Sequence, residues 1–238
     1  MKKPNMKLLS FASNGKTRKS DRVQDKYYTA ILYLYPDKQL CPLAEKAGCM
    51  DSCLVTSGMA GVFKNINEAR RRKTNLFRTD RLAFMTQLCK DIDTFIQFCL
   101  KEGRLPVIRL NGTSDIQWEL YPIDEHENIF SKYPGVQFYD YTKLPHRPLT
   151  IDNYHLTFSY SGEIEYQSFI NRALEREMNM AVVFDEIPDE YKGLKVIDGD
   201  KHDLRFLDKS GVIVGLKAKG KARHETNNFV VRLANGIS

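Results

Sequence analysis

Three cysteines that lie close together are the residues best suited to hold a metal. Cys41, Cys49 and Cys53 fall within thirteen residues at the spacing C-x7-C-x3-C, with Pro42 and Gly48 between them. Thiolates are soft ligands that suit an iron–sulfur cluster or zinc. The spacing is not one of the common zinc patterns. We therefore expect an iron–sulfur cluster, with zinc as the alternative and buried thiols without a metal as the third interpretation.

The remaining cysteines favour a structural role. Cys89 and Cys99 lie on the apolar stripe of a helix predicted over 80–102, where a core position is expected. Five cysteines in total are an odd number, which argues against a disulfide framework. The sequence has no signal-peptide core and no apolar run of membrane-spanning length, so we expect a cytoplasmic protein without a membrane partner.

The densest polar segment is 198–203, which reads Asp-Gly-Asp-Lys-His-Asp. Its three carboxylates and one histidine are able to bind a metal or a cationic group, or to do acid–base work. His202 is the side chain of this run best suited to proton transfer near neutral pH. The alternative is a solvated turn built from aspartate and glycine.

Polar side chains also accompany two predicted strands. Asp115 follows the strand at 105–110 and is either a base or a helix cap. Asp140 lies in the strand at 136–141, and Lys143 follows it. The tyrosines on either side of Asp140 share the face opposite to it, because side chains alternate along a strand.

The elements that must position these residues alternate between strand and helix. Buried-strand patterns occupy 27–35, 105–110, 136–141, 155–159, 180–184, 195–197 and 212–216, and helix patterns occupy 61–73, 80–102 and 164–177. This alternation predicts an α/β protein with a parallel sheet. Polar and acidic residues repeatedly follow strands, which is where such folds place their sites. No internal repeat or linker interrupts 27–238, so one domain is expected there.

Charge is concentrated at the N-terminus. The chain has 36 Lys and Arg against 30 Asp and Glu, a net charge of +6. Residues 1–26 hold eight of these bases and two of the acids, which is also +6. We expect a basic N-terminal arm that either tracks phosphates or is simply solvated. A second basic cluster lies at 217–223. The N-terminal arm and this cluster both favour a nucleotide or nucleic-acid partner.

The cysteine loop directly follows the first predicted strand of about six βα units. This arrangement resembles the radical S-adenosylmethionine (SAM) enzymes, which implies a partial (β/α)6 TIM-like barrel, a [4Fe–4S] cluster and SAM bound to its open iron. That family's usual spacing is C-x3-C-x2-C, which is shorter than the spacing here. The residues that the resemblance places near SAM are Asn111, Gly112, Ser114, Asp115 and Ser159.

Over nearly its whole length the sequence also resembles a phage family, the gene product 88 proteins. The resemblance implies the cytoplasm of an infected host cell and supplies no activity by itself. It rests on matching stretches at 41–54, 70–74, 109–119, 136–143, 153–159, 196–208 and 211–222.

The leading hypothesis is a radical-SAM-like iron–sulfur enzyme that modifies a nucleotide or nucleic acid. The side chains expected to face its substrate are Asp140, Lys143, Asp198, His202 and Arg205. The second hypothesis is a zinc-stabilised barrel that acts on nucleic-acid bases, with Asp115 or Asp140 as nucleophile. The third is a non-enzymatic protein that binds nucleic acid or a host partner. Neither a P-loop motif nor a hydrolase motif is present, so those activities are not expected.

Overall fold

The computed structural model describes residues 6–11, 26–49, 63–224 and 226–233. Its strands are β1 Leu9–Phe11, β2 Tyr27–Leu32, β3 Leu105–Arg109, β4 Gln137–Thr142, β5 Tyr154–Ser159, β6 Met180–Phe184, β7 Glu190–Tyr191, β8 Leu194–Asp198, β9 Ile213–Lys217 and β10 Val230–Val231. Its helices are α1 Lys64–Thr79, α2 Arg81–Lys101, α3 Ile129–Lys132 and α4 Gln167–Glu175.

One mostly parallel sheet organises these elements. The strand order is β1-β2-β3-β4-β5-β6-β9-β8-β7, and β10 pairs with β6. All pairs from β2 through β6 to β9 and β8 are parallel, while β1 and β7 pair antiparallel at the two ends. The predicted single-domain α/β class is confirmed. The expected barrel is not shown, because β1 and β7 leave the sheet open rather than meeting.

The two faces of the sheet differ in composition. Side chains alternate along each strand, so the pairing register assigns every residue to a face. The face that carries Ala30, Ile108 and Phe138 packs on α2 and α4 in the main apolar core. The opposite surface, here called the polar face, carries Arg109, Tyr139, Tyr141, Thr157 and Ser159. Residues 202–208 cover it, with the Phe206 ring against Tyr27 and Tyr139.

Helix α2 forms much as its sequence predicts. The Asp80 side chain caps it by accepting a hydrogen bond from the Ala83 amide at 2.9 Å. Its apolar stripe faces the core, where Cys99 is fully buried. Gly103 follows the helix with φ of +65°, a conformation that glycine adopts without strain. Among the described residues, no helix is both long and apolar enough to cross a membrane.

Part of the predicted N-terminal arm lies in the sheet. Strand β1 pairs with β2, and Leu8 and Leu9 are buried. Their amides donate to the Asp91 carboxylate of α2 at 2.5 and 3.0 Å. The Lys73 ammonium of α1 donates to the Leu8 carbonyl at 2.6 Å. These buried charges hold residues 8 and 9 against the two long helices.

Strand β10 extends the line of β5 beyond its carboxyl end. It pairs with Val183 and Phe184 of β6, immediately past the point where β5 pairs with that strand. The preceding turn reaches the cysteine loop, because Nδ2 of the Asn227 side chain donates to the Gly48 carbonyl at 2.7 Å. The C-terminal segment therefore packs on the carboxyl edge of the sheet.

Candidate functional site

The cysteine loop lies against the carboxyl edge of the parallel sheet. It leaves β2 and turns through 37–49, where the Cys41 amide donates to the Asp37 carbonyl and the Cys49 amide donates to the Ala44 carbonyl. The Leu40 carbonyl accepts a hydrogen bond from the Asp115 amide at 2.7 Å, which joins the loop to the segment after β3. Both described thiols, Cys41 and Cys49, are half-buried and free of disulfides.

A lysine ammonium lies beside these two thiols. Lys143 directly follows β4, and its Nζ lies 3.5 Å from the Ser159 hydroxyl at the end of β5. Burial lowers the pKa of Lys143, but the negative charges that Cys49, Cys41, Tyr166 and Asp115 can carry together raise it. A neighbouring cation offsets the negative charge that thiolate ligands bring to a metal site. Thiolate is the form that binds a metal.

Neighbouring groups hold Lys143 in place. Its amide donates to Asp115 Oδ2 at 2.7 Å. The Tyr166 hydroxyl lies within hydrogen-bond distance of the Lys143 and Ser159 carbonyls, at 3.2 and 3.1 Å. Burial raises the pKa of Tyr166, and the Lys143 charge opposes that rise. Tyr166 is therefore a neutral donor that ties the ends of β4 and β5 together.

The predicted metal site is only partly within the described residues. Cys53 lies outside them. Among the His, Cys, Asp and Glu side chains that the structure describes, no three come together as a metal-binding group. The three-cysteine site therefore stays a prediction, with two of its ligands placed beside Lys143.

Four of the five residues predicted to lie near SAM belong to an internally bonded turn after β3, and the fifth, Ser159, ends β5. Asn111 Oδ1 accepts hydrogen bonds from the Ser114 hydroxyl, the Ile116 amide and the Trp118 indole, at 2.8, 2.9 and 3.2 Å. The Asn111 amide donates to Asp140 Oδ1 at 2.7 Å. The Asn111 and Ser114 side chains thus shape the turn.

Steric crowding explains why position 112 is a glycine. A Cβ placed there would come within 2.7 Å of Ile31 Cγ2, the Leu32 carbonyl oxygen and Tyr33 Cδ1. The Gly112 amide donates to that same Leu32 carbonyl at 3.0 Å. The turn therefore crosses the end of β2 with no room for a side chain.

Asp140 is fully buried on the face opposite Tyr139 and Tyr141, as alternation predicts. Its Oδ2 accepts hydrogen bonds from the Tyr154 hydroxyl at 2.9 Å and the Asn111 side chain at 3.2 Å. Burial raises its pKa to about 7, against the lowering effect of Arg109 and of its hydrogen bonds. Asp140 acts on the turn rather than on an open cavity.

Arg147 is a central residue that sequence reasoning missed. It is fully buried, and its guanidinium forms a two-pronged pair with Glu119 at 2.8 and 2.6 Å. It also lies 3.3 Å from Asp115 Oδ1 and donates to the Tyr154 hydroxyl at 2.8 Å. No periodic pattern surrounds it, and its carboxylate partners lie 28 and 32 residues away in sequence. We call the set Asn111, Asp115, Glu119, Asp140, Thr142, Arg147 and Tyr154 the turn network.

A second polar cluster lies on the polar face. Asp203 accepts hydrogen bonds from Arg109 Nη1 at 2.9 Å, from the Tyr139 hydroxyl at 3.2 Å and from the Tyr141 hydroxyl at 2.9 Å. Burial would lower the pKa of Arg109, but the Asp203 carboxylate raises it. With Arg205 these residues form what we call the polar-face cluster. Sequence reasoning placed Asp203 in a polar loop and gave Arg109 no role.

The residues predicted to face a substrate do not converge on one point. Asp198 is exposed at the end of β8, where it accepts a hydrogen bond from the Asp200 amide at 2.9 Å. His202 is half-buried, with its Nδ1 3.3 Å from Arg205 Nη2. Arg205 is buried on the polar face and pairs with Asp208 at 3.3 Å. Lys143 is the member of the set that lies beside the cysteines.

One comparison with known proteins gives a match. The sequence model of a family described as gene product 88 matches residues 7–232, which is nearly the whole chain. No curated protein and no solved structure is significantly similar to it.

Proposed function

The chain belongs to the gene product 88 family, and from that premise we propose that Cys41, Cys49 and Cys53 hold an iron–sulfur cluster at the carboxyl edge of the sheet. The observation that carries the proposal is that the loop with Cys41 and Cys49 lies at the carboxyl edge and is joined to Lys143 through Asp115. The Asp115 amide donates to the Leu40 carbonyl, and its carboxylate accepts from the Lys143 amide. A metal centre ligated by thiolates needs them deprotonated, and a neighbouring cation lowers the cost of that charge.

The donor set fits the group. Three thiolates on one loop suit an iron–sulfur cluster and would leave one iron open. The resemblance to the radical SAM enzymes implies that SAM would bind there and that the cluster would pass on an electron from an external reductant. The parallel strands β2 to β6 lie side by side in chain order, which supports the radical-SAM-like arrangement without closing it into a barrel. The loop follows the first strand of that run.

Residues around the thiols have separate roles in this proposal. Lys143 balances the negative charge of the ligands, and Asp115 and Tyr166 fix its backbone. The side chains of Asn111 and Ser114 bond within their own turn, so in this proposal they shape the surface next to SAM and do not contact it. The Ser159 hydroxyl, 3.5 Å from Lys143 Nζ, is the group that would orient a ligand at this edge.

A nucleotide or nucleic acid remains the proposed substrate. The support is charge alone. Four basic side chains are exposed at the end of β9 and just after it: Lys217, Lys219, Lys221 and Arg223. Replacing Lys217 and Lys221 by Gln is expected to make binding of a DNA or RNA oligonucleotide less steeply dependent on salt, by about one unit of log–log slope per contact removed. An unchanged slope would remove nucleic acid from the proposal.

The experiment is anaerobic reconstitution of the full chain with iron and sulfide, followed by its visible spectrum. We expect a brown protein and loss of the chromophore in the Cys41→Ala, Cys49→Ala and Cys53→Ala variants. The matched control is Cys89→Ala, a half-exposed cysteine of α2 that we expect to keep the spectrum unchanged. A chromophore that survives Cys49→Ala contradicts the proposal, and a colourless protein with stoichiometric zinc replaces it with a zinc site.

A further inference from the structure

The polar face carries more hydrogen-bond donors than the described residues satisfy. Arg109, Thr157 and Arg205 are at most 5% exposed. Yet Arg109 Nε, Thr157 Oγ1 and Arg205 Nη1 have no hydrogen-bond partner in the described part of the chain, while Arg205 Nε faces the Asp208 carboxylate 3.3 Å away. Buried polar groups are nearly always paired, so a concentration of unpaired donors is unusual. Such donors favour a ligand rich in acceptor oxygens.

The Asp203 carboxylate now occupies the space between these donors and shows what shape of ligand they recognise. Arg109 and Tyr139 donate to one oxygen of the Asp203 carboxylate, and Tyr141 donates to the other. The three donors therefore recognise a planar anion with two oxygens. The Arg109 guanidinium also lies 4.6 Å from the centre of the Tyr141 ring, which fixes its plane.

Asp203 approaches this site from the solvent side. Its side chain is 19% exposed, compared with 6% for Arg109. It belongs to the connection between β8 and β9, whereas the three donors belong to β3 and β4 in the middle of the sheet. The donors are thus built into the rigid sheet, and their occupant comes from a loop.

We infer that Arg109, Tyr139 and Tyr141 form a binding site for the carboxylate of a small molecule, and that Asp203 closes this site in the unliganded protein. The carboxylate of the ligand takes the place of the Asp203 carboxylate. Other polar atoms of the ligand then meet Arg205 Nη1 and the Thr157 hydroxyl. This inference does not depend on a metal at the cysteine loop, so either proposal can fail without the other.

The experiment removes the Asp203 carboxylate and supplies a free carboxylate, acetate, in its place. In Asp203→Ala, sodium acetate is expected to raise the Tm saturably by several degrees over sodium chloride at equal ionic strength, because a ligand stabilises the state that binds it. Phosphate, which is tetrahedral, is expected to raise it less. The matched control is Asp198→Ala, which removes an exposed carboxylate before the same loop and should show no acetate-specific shift.

Two further measurements keep the inference falsifiable. Adding Arg109→Gln to Asp203→Ala should abolish the acetate effect, and Asp203→Asn, which keeps the side-chain volume, serves if the alanine variant does not fold. In the wild type, acetate should speed backbone hydrogen exchange at 202–208 and leave 124–127 unchanged. The inference is overturned if acetate acts equally on the Asp203 and Asp198 variants, or if wild-type exchange at 202–208 is indifferent to acetate.

Discussion

The turn network and the polar-face cluster lie on opposite faces of the same strands and satisfy their polar groups differently. In the turn network no buried side-chain nitrogen or oxygen of the described residues lacks a partner. In the polar-face cluster Arg109 and Arg205 both keep unpaired donors. A completed network rigidifies the protein, whereas donors left over on a rigid sheet are ready to receive something else.

The largest expected effect comes from breaking the turn network at its buried cation. Arg147→Met leaves the Glu119 and Asp115 carboxylates buried without their partner, and we expect a loss of about 3–5 kcal/mol in the free energy of unfolding. Urea unfolding measures it, with the exposed Arg172→Met of α4 as control. A loss of similar size in both variants would mean that Arg147 is not the centre of the network.

Asp140 gives this network a pH dependence. Its pKa is raised from 3.8 to about 7 in the folded chain, so between those values the folded state holds a proton that the unfolded state has released. Its contribution to stability is therefore full below about pH 4 and declines as the pH rises to about 7, by at most about 1.4 kcal/mol per pH unit.

Unfolding of the wild type and of Asp140→Asn over this pH range measures the effect. The stability difference between wild type and variant should shrink as the pH rises. A difference that grows with pH would show that Asp140 is held ionised by its donors instead.

The close crossing of the turn over β2 is tested at Gly112. Gly112→Ala brings a methyl group against the Leu32 carbonyl, and we expect a loss of about 1–3 kcal/mol. Gly135→Ala is the matched control, because nothing lies within 4 Å of a Cβ placed there. Equal stability of the two variants would contradict the crossing.

A pair of threonines compares the two faces directly and gives the smallest effects. The Thr142 hydroxyl donates to Asp115 and accepts from the Leu144 amide, so Thr142→Val should cost about 1–3 kcal/mol. Thr157 is equally buried but its hydroxyl has no hydrogen-bond partner among the described residues, so Thr157→Val should change stability by less than about 0.5 kcal/mol. A large loss in Thr157→Val would mean that the polar face is satisfied after all.

The sequence predicted those elements whose signals are local. Strand β6 matches its predicted bounds at 180–184, and α2, Arg81–Lys101, matches the helix predicted over 80–102. Apolar periodicity and a capping residue are readable within one segment. The placement of Asp140 opposite its neighbouring tyrosines follows from alternation in the same way.

The features that sequence reasoning missed depend on distant partners. Strand β1 is only three residues long and is held by Asp91 and Lys73, which lie in two later helices. Arg147 finds Glu119 across 28 residues without any repeating pattern. The Arg109 guanidinium meets the Asp203 carboxylate only in the folded chain, because Asp203 lies 94 residues later in sequence. Such contacts come from tertiary packing, which single-sequence patterns do not encode.

The most direct test of the proposed centre is the metal content of the wild-type chain purified without oxygen. We expect about four irons and four sulfides per chain if the three cysteines hold a [4Fe–4S] cluster. A chain that carries neither iron nor sulfide would contradict it and leave Cys41 and Cys49 as thiols beside a buried lysine.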